Sequence, residues 1–402
     1  MGQQLPSAKP EEVGVSSVKV EELSKFMQSL VDQGKIAGGV TMMARHGKVI
    51  HLKAVGMADR EAEKPMQIDA IFRIASMTKP VTSVAVMMLY EQGKLGLDDP
   101  VWKYMPEFKN PKVLVSVNPL RTEPAKREIT IRHLLTHTSG LGYPSTPHLG
   151  ALYEQHGIPC GCVSAPVTLE ENMRKLAGVP LLFHPGEKWE YGMSTDVLGR
   201  VIEVVSAVTL DRFFETEIFT RLGMKDTFFK VPREKVPRLV AAYIPLEAGI
   251  RKLKDGEIVK HGADPISADY PYLESHRYLS GGGDLCSTVT DYMRFCQMLL
   301  NRGQLDSVRL LREETIGMMT TNQLGTLPNR FGFGFGIMPE TDDIHRQLRG
   351  SYNWGGYWST SFRISPRGDW ILITTSQVAW DDKATSAWFT QYEKIATEAV
   401  EK

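Results

Sequence analysis

The strongest constraint on how this chain can fold is a helix that is apolar nearly all round and opens on Ser76-Met77-Thr78-Lys79. Val81, Val84, Ala85, Val86, Met87, Met88 and Leu89 leave it no polar face, and such a helix belongs in the middle of a core. Pro80 fits a first helical turn, where its missing N–H would be unpaired anyway, so the helix is predicted to start close to Ser76. Residues three apart share a face, which lets Lys79 point at the Ser76 hydroxyl. That hydroxyl would sit at the positive end of the helix dipole, where developing negative charge is stabilised. A serine with a lysine one turn away is a nucleophile with a base at hand. On four letters alone, an N-capping serine and a solvated lysine are the commoner outcome, so the rest of the chain has to decide.

Composition narrows the field. Of 402 residues, 42% are hydrophobic and 23% charged, and the formal net charge is zero. That is a soluble globular balance, and without a basic stripe neither nucleic acid nor an anionic membrane is an expected partner. No apolar run is long enough to span a bilayer, and Met1 to Val20 has no apolar signal region, so the expected location is cytoplasmic. The length implies two subdomains or one elaborated domain. Cys160, Cys162, Cys286 and Cys296 lack metal-ligand spacing and read as reduced thiols without a catalytic part. His133 and His137 are four apart, but Leu134 stands where a zinc helix carries glutamate. They read as structural, hydrogen-bonded histidines, and no metal or organic cofactor is expected. Asp98-Asp99 reads as a turn and His184 as a turn-packing residue.

Along the chain, Val20, Leu23, Met27, Leu30 and Val31 follow helical spacing. Gly39–Ala44, a His46-Gly47 turn and Lys48–Val55 read as a hairpin. The Ser76 helix should end near Gly93. Residues 110–275 read as helices, turns and loops, with helices at Ile131–Leu135, Leu169–Leu176 and Val197–Val205. After Ser280-Gly281-Gly282-Gly283-Asp284 come a helix at Val289–Asn301, strands at Phe331–Met338, Tyr357–Ser365 and Trp370–Ser376, and a last helix over Ser386–Val400. Strands at both ends with a helical insert imply an α+β fold: one central antiparallel sheet, flanked by helices and built from distant segments. Residues 1–110 and 276–402 would form the sheet subdomain and 111–275 a mainly helical one, with the site in the cleft between them.

Three more segments complete a constellation around the tetrad. Pro185-Gly186-Glu187-Lys188-Trp189-Glu190-Tyr191 presents a tyrosine after a turn. Ile129-Thr130-Ile131-Arg132-His133-Leu134-Leu135-Thr136-His137-Thr138-Ser139-Gly140-Leu141 is a distinctive run. Trp354-Gly355-Gly356-Tyr357 opens a late strand, where paired glycines permit close approach of a ligand to backbone. Over nearly its whole length the chain resembles the serine β-lactamases and penicillin-binding D,D-peptidases, with the motifs in the family's order: Ser76–Lys79, His133–Gly140, Pro185–Tyr191, the glycines 281–283 and the late strand. It is most similar to the family VIII carboxylesterases, which share the class C β-lactamase fold.

The resemblance implies a β-lactamase/transpeptidase-like fold with Ser76 as nucleophile and Lys79 and Tyr191 sharing the base role. Which of the two takes the proton stays open. The oxyanion hole would be the backbone N–H groups of Ser76 and Tyr357, with Trp354, Gly355, Gly356 and Trp358 against the substrate. Two departures matter. The lactamase Y-x-N has become Tyr191-Gly192-Met193, and the K-T-G has become Trp354-Gly355-Gly356. The second change removes the lysine and hydroxyl that grip a carboxylate and leaves apolar aromatic surface. The expectation is a serine carboxylesterase acting on small or aryl esters through an acyl-enzyme on Ser76. A β-lactamase or D,D-peptidase, with weak cephalosporin hydrolysis as a side activity, and an acyltransferase are the alternatives. The α/β-hydrolase signature G-x-S-x-G does not occur.

Overall fold

A computed structural model describes residues 5–261, 264–341 and 348–400. Its main sheet has seven antiparallel strands: β1 (Gly38–Arg45), β2 (Lys48–Asp59), β3 (Lys64–Pro65), β4 (Gly336–Ile337), β5 (Tyr352–Gly356), β6 (Thr360–Ser365) and β7 (Trp370–Thr375). The spatial order is β4-β5-β6-β7-β1-β2-β3. The first and last parts of the chain meet where β1 pairs with β7, from Val40 opposite Thr375 to Arg45 opposite Trp370. The α+β class and the sheet assembled from distant segments are thus as the sequence implied.

Alternation gives each strand two faces. Val40, Met42 and Ala44 of β1 join Phe362, Ile364, Ile371 and Ile373 in the larger core. Met43, Trp370 and Leu372 point the other way, into a second core with the helix Glu22–Asp32 and the C-terminal helix Asp382–Val400. The helix Thr78–Glu91 runs inside the larger core, and every residue from Thr78 to Leu89 is buried. Beside it packs the helix Ser194–Ser206. Among the described residues no helix is long and apolar enough to cross a membrane.

Three expectations need correction. Residues 110–275 hold three two-stranded hairpins besides their helices: Lys112–Val117 with Leu120–Pro124, Tyr243–Pro245 with Ile250–Lys252, and Ile258–His261 with Asp264–Ser267. Only Gly336–Ile337 of the segment Phe331–Met338 pairs as strand. Gly334, at φ 94°, turns the chain against Ser83, and no long strand can form there. Tyr357 and Trp358 do not begin a strand either. β5 ends at Gly356, and Tyr357-Trp358-Ser359 is the turn into β6, with Ser359 at φ 55°.

Candidate active site

The tetrad forms as its spacing dictates. Ala75–Met77 make a short 3₁₀ turn leading into the helix at Thr78, and Pro80 lies in that helix's first turn. Ala75 holds φ 44°, a left-handed conformation that costs an L-residue about 1–2 kcal/mol. The strain sits directly before Ser76, fully buried beneath Trp358 and Tyr270. Lys79 is only 1% exposed. Its Nζ lies 3.1 Å from Ser76 Oγ, 2.8 Å from the Tyr143 hydroxyl and 2.7 Å from the Gly282 carbonyl oxygen. As an ammonium it donates to all three. As an amine it can keep the Gly282 bond and turn its lone pair to the Ser76 proton.

Tyr143 was not singled out in the sequence, although it ends the run that continues from Leu141 through Gly142. That run lies alongside the Pro185–Tyr191 segment, with Gly186 N–H donating to Thr138 O and Glu190 N–H to His137 O. The two chains touch at Gly192, where a β-carbon would collide with Leu141 O and Gly142. This brings Tyr143 and Tyr191 together, ring centroids 5.4 Å apart. Tyr191 meets Lys79 with its ring face, 4.7 Å from Nζ to the centroid. Its hydroxyl has no hydrogen-bond partner among the described residues. Burial, with Tyr191 and Asp196 close by, pushes the Tyr143 phenol well above its ordinary range, so it rests protonated.

Of the two late glycines, Gly356 also serves the fold. A β-carbon on Gly356 would strike the Ile74 carbonyl oxygen, so its lack of a side chain lets backbone approach backbone. Thr360 Oγ1 bonds the same carbonyl. The segments carrying the Ser76 and Tyr357 N–H groups are held together by this contact, and both residues line one cavity. The Gly281–Gly283 stretch is wedged between helices: Thr82 Oγ1 donates to Gly281 O at 2.6 Å, and a β-carbon on Gly281 would lie 2.6 Å from Thr195 O.

The cavity measures about 770 Å³ and runs from Ser76 past Trp354 to Trp380 and Phe389. Aromatic rings build its wall: Trp354 stands 5.4 Å from Tyr191 and 5.1 Å from Phe331, and Trp189 stacks on Tyr191. Asp264, Asp381, Asp382 and Glu393 line it, and among the described residues no lysine or arginine does. Trp354, Gly355 and Gly356 line it as expected. Trp358 does not: it is fully buried among Ala75, Cys162, Tyr270 and Ala379 and is a packing residue, because the turn after β5 points it inward.

Cys160 and Cys162 do line the cavity. Burial pushes both thiols up, which keeps them protonated and unreactive. His133 is hydrogen-bonded as expected, closing a capping box with Thr130. His137 departs from expectation: buried against Trp189, Tyr191 and Phe331, its Nδ1 has no partner among the described residues. His184 accepts from the Lys126 N–H and packs a turn, and Asp98 pairs with Arg132.

The Beta-lactamase family model matches residues 23–391. The chain belongs to that family. Esterase EstB of Burkholderia gladioli is 33% identical over 87% of this chain and 88% of its own. The structure of EstCE1, described as a hydrolase with promiscuous acyltransferase activity, superposes with a TM-score of 0.81 at 29% identity, covering 95% of this chain and 98% of its own. Simvastatin synthase LovD from Aspergillus terreus shares the fold, with a TM-score of 0.78 at 22% identity over 95% of this chain and 98% of its own.

Proposed function

We propose that this family member is a serine carboxylesterase that cleaves neutral small or aryl esters through an acyl-enzyme on Ser76. The observation that carries the reading is the Ser76–Lys79–Tyr143 contact set at the floor of an aromatic cavity that no lysine or arginine among the described residues lines. A β-lactam or peptidoglycan stem presents a carboxylate, and this wall offers it carboxylates and indoles instead. The likeness to esterase EstB supports the same choice.

In this reading Ser76 Oγ attacks the ester carbonyl while its proton moves to Lys79 or through the hydroxyls beside it. The N–H groups of Ser76 and Tyr357 face the developing oxyanion. The proton then passes to the departing alcohol. Water enters and deacylates through the same groups in reverse. Tyr143 joins Lys79 and Tyr191 as a third member of the proton-handling set, placed there by its direct bond to Nζ. Residues 1–110 with 276–402 form one lip of the cleft and 111–275 the other. The zero net charge suits a small-molecule partner.

Hydrolysis of p-nitrophenyl butyrate by wild type and Ser76→Ala tests this directly. The expected result is turnover that falls at least a thousandfold in the variant with its thermal midpoint unchanged, in line with the loss of a covalent nucleophile. Turnover that survives would remove Ser76 from the chemistry. A second reading, transfer of the acyl group to an alcohol, is favoured by the length of the cavity and by the likeness to EstCE1. Ester product formed in preference to butyrate when an alcohol is added would establish it.

A further inference from the structure

Asp196 is a buried carboxylate to which the chemistry above gives no task. It lies in the first turn of the helix Ser194–Ser206, with no solvent exposure. Its Oδ1 accepts from the Tyr278 hydroxyl at 2.6 Å and from Ser280 Oγ at 2.5 Å. Its Oδ2 has no hydrogen-bond partner among the described residues. Burying an ionised carboxylate is costly unless a positive charge or further donors compensate.

The compensating charge is Lys79. A β-carbon on Gly282 would lie 2.6 Å from Asp196 Oδ2 and 3.3 Å from Lys79 Nζ. Those two contacts place the oxygen and the nitrogen within about 6 Å of each other, close enough for an opposite charge to govern protonation. The gap exists because residue 282 has no side chain, and the Gly282 carbonyl itself holds Nζ. We infer that Asp196 is the positioning residue for Lys79, the counter-charge across Gly282 that fixes where the lysine's proton resides as Ser76 gains and loses its own. The inference rests on the proposed roles of Ser76 and Lys79.

The other groups facing Lys79 cannot supply this charge. Ser76 lies on its own element, and Tyr143 rests as a neutral phenol. Tyr191 turns its ring face to the ammonium. His137, buried and beside the Lys79 charge, is held well below its ordinary range and stays neutral. Cys162 is a protonated thiol. Asp284, behind the glycine loop, is committed to the N–H groups of Cys162 and Ser280. Burial lifts the Asp196 carboxyl above its ordinary range, and the Ser280 and Tyr278 hydroxyls and the Lys79 charge offset part of that rise.

Asp196→Asn keeps the shape and removes the charge. The readout is the rate at which an alkyl fluorophosphonate labels Ser76, measured across pH, because it follows the nucleophile whatever the natural substrate is. Without its counter-charge Lys79 loses a proton more readily, so the limb it governs moves to lower pH by about one unit. The limb is the acid one if Lys79 acts as a neutral base and the alkaline one if it acts as a cation; the direction is the same. Labelling at the optimum is expected to slow about tenfold. A variant that is slower at every pH with both limbs in place would show that Asp196 is only a packing anchor and overturn the inference. If Asp196→Asn does not fold, Tyr278→Phe withdraws one hydroxyl from the carboxylate, favours its protonated form and should shift the same limb in the same direction by less. Unmoved limbs there would overturn the inference equally. Fluorophosphonate labelling that needs Ser76, with no ester turnover, would instead count against the esterase reading alone.

Discussion

The floor and the rim of the cavity are built on opposite plans. At the floor, Ser76, Lys79 and Gly282 are tied by a helix start, a wedged glycine loop and hydrogen bonds. At the rim, Trp354, Trp380, Phe389 and Glu393 come from a strand, a loop and the terminal helix, with the Trp380 and Phe389 rings tilted together at 5.5 Å. In the proposed function the floor performs a chemistry common to acyl transfer on many substrates, and the rim decides which ester reaches it. One fold can therefore keep its reaction while its substrate changes, since function resides in the site rather than the architecture.

This division can be tested from the floor upward. Tyr143→Phe and Tyr191→Phe should each lower kcat on p-nitrophenyl butyrate about 100-fold or more, the scale of a lost proton-transfer group. KM should stay within about twofold. Near-normal kcat in Tyr143→Phe would move that residue from the floor to the wall. Gly356→Ala comes next: its β-carbon meets the Ile74 carbonyl, so the two oxyanion segments must separate. Steady-state kinetics should show kcat falling about tenfold, with a lowered thermal midpoint. At the rim, Trp380→Ala should raise KM several-fold for aryl esters and leave kcat within about twofold. Trp354→Lys should bring no gain on the butyrate ester, and a large gain would contradict the argument from the missing cation.

The smallest expected effect tests what supports the floor. Burial holds the His51 and His133 imidazoles down to about 4. Both are neutral when folded, and the His133 ring accepts from the Thr130 N–H at the head of the helix that leads to Tyr143. The unfolded chain takes up these protons from about pH 6.5 downward, so stability present above that pH is lost as pH falls towards 4. Thermal midpoints across this window should decline, and His133→Gln should flatten part of the slope.

The floor was legible in the sequence because its residues obey local rules. Ser76 and Lys79 are one turn apart, Pro80 marks the helix start, and an apolar run marks burial. The antiparallel sheet was legible through β1, β2 and β7, where strand-forming runs and turns coincide. Tyr143 was missed because its role comes from contact with Lys79, 64 positions away. Trp358 was misplaced because a turn, not a strand, sets its direction. Tyr191 lies beside Lys79, but whether its hydroxyl or its ring face would meet the lysine cannot be told from a sequence.

The clasp of Gly356 on Ile74 also has a consequence for the order of events during synthesis. Ser76 and Lys79 are made well before Tyr357, the proposed second oxyanion donor, and before Thr360, which bonds Ile74 across 286 positions. Contacts of such long range form late, after the loop between them has closed. On the proposed roles, a growing chain carries its serine without the second donor until these last strands are made, and competence waits on the clasp.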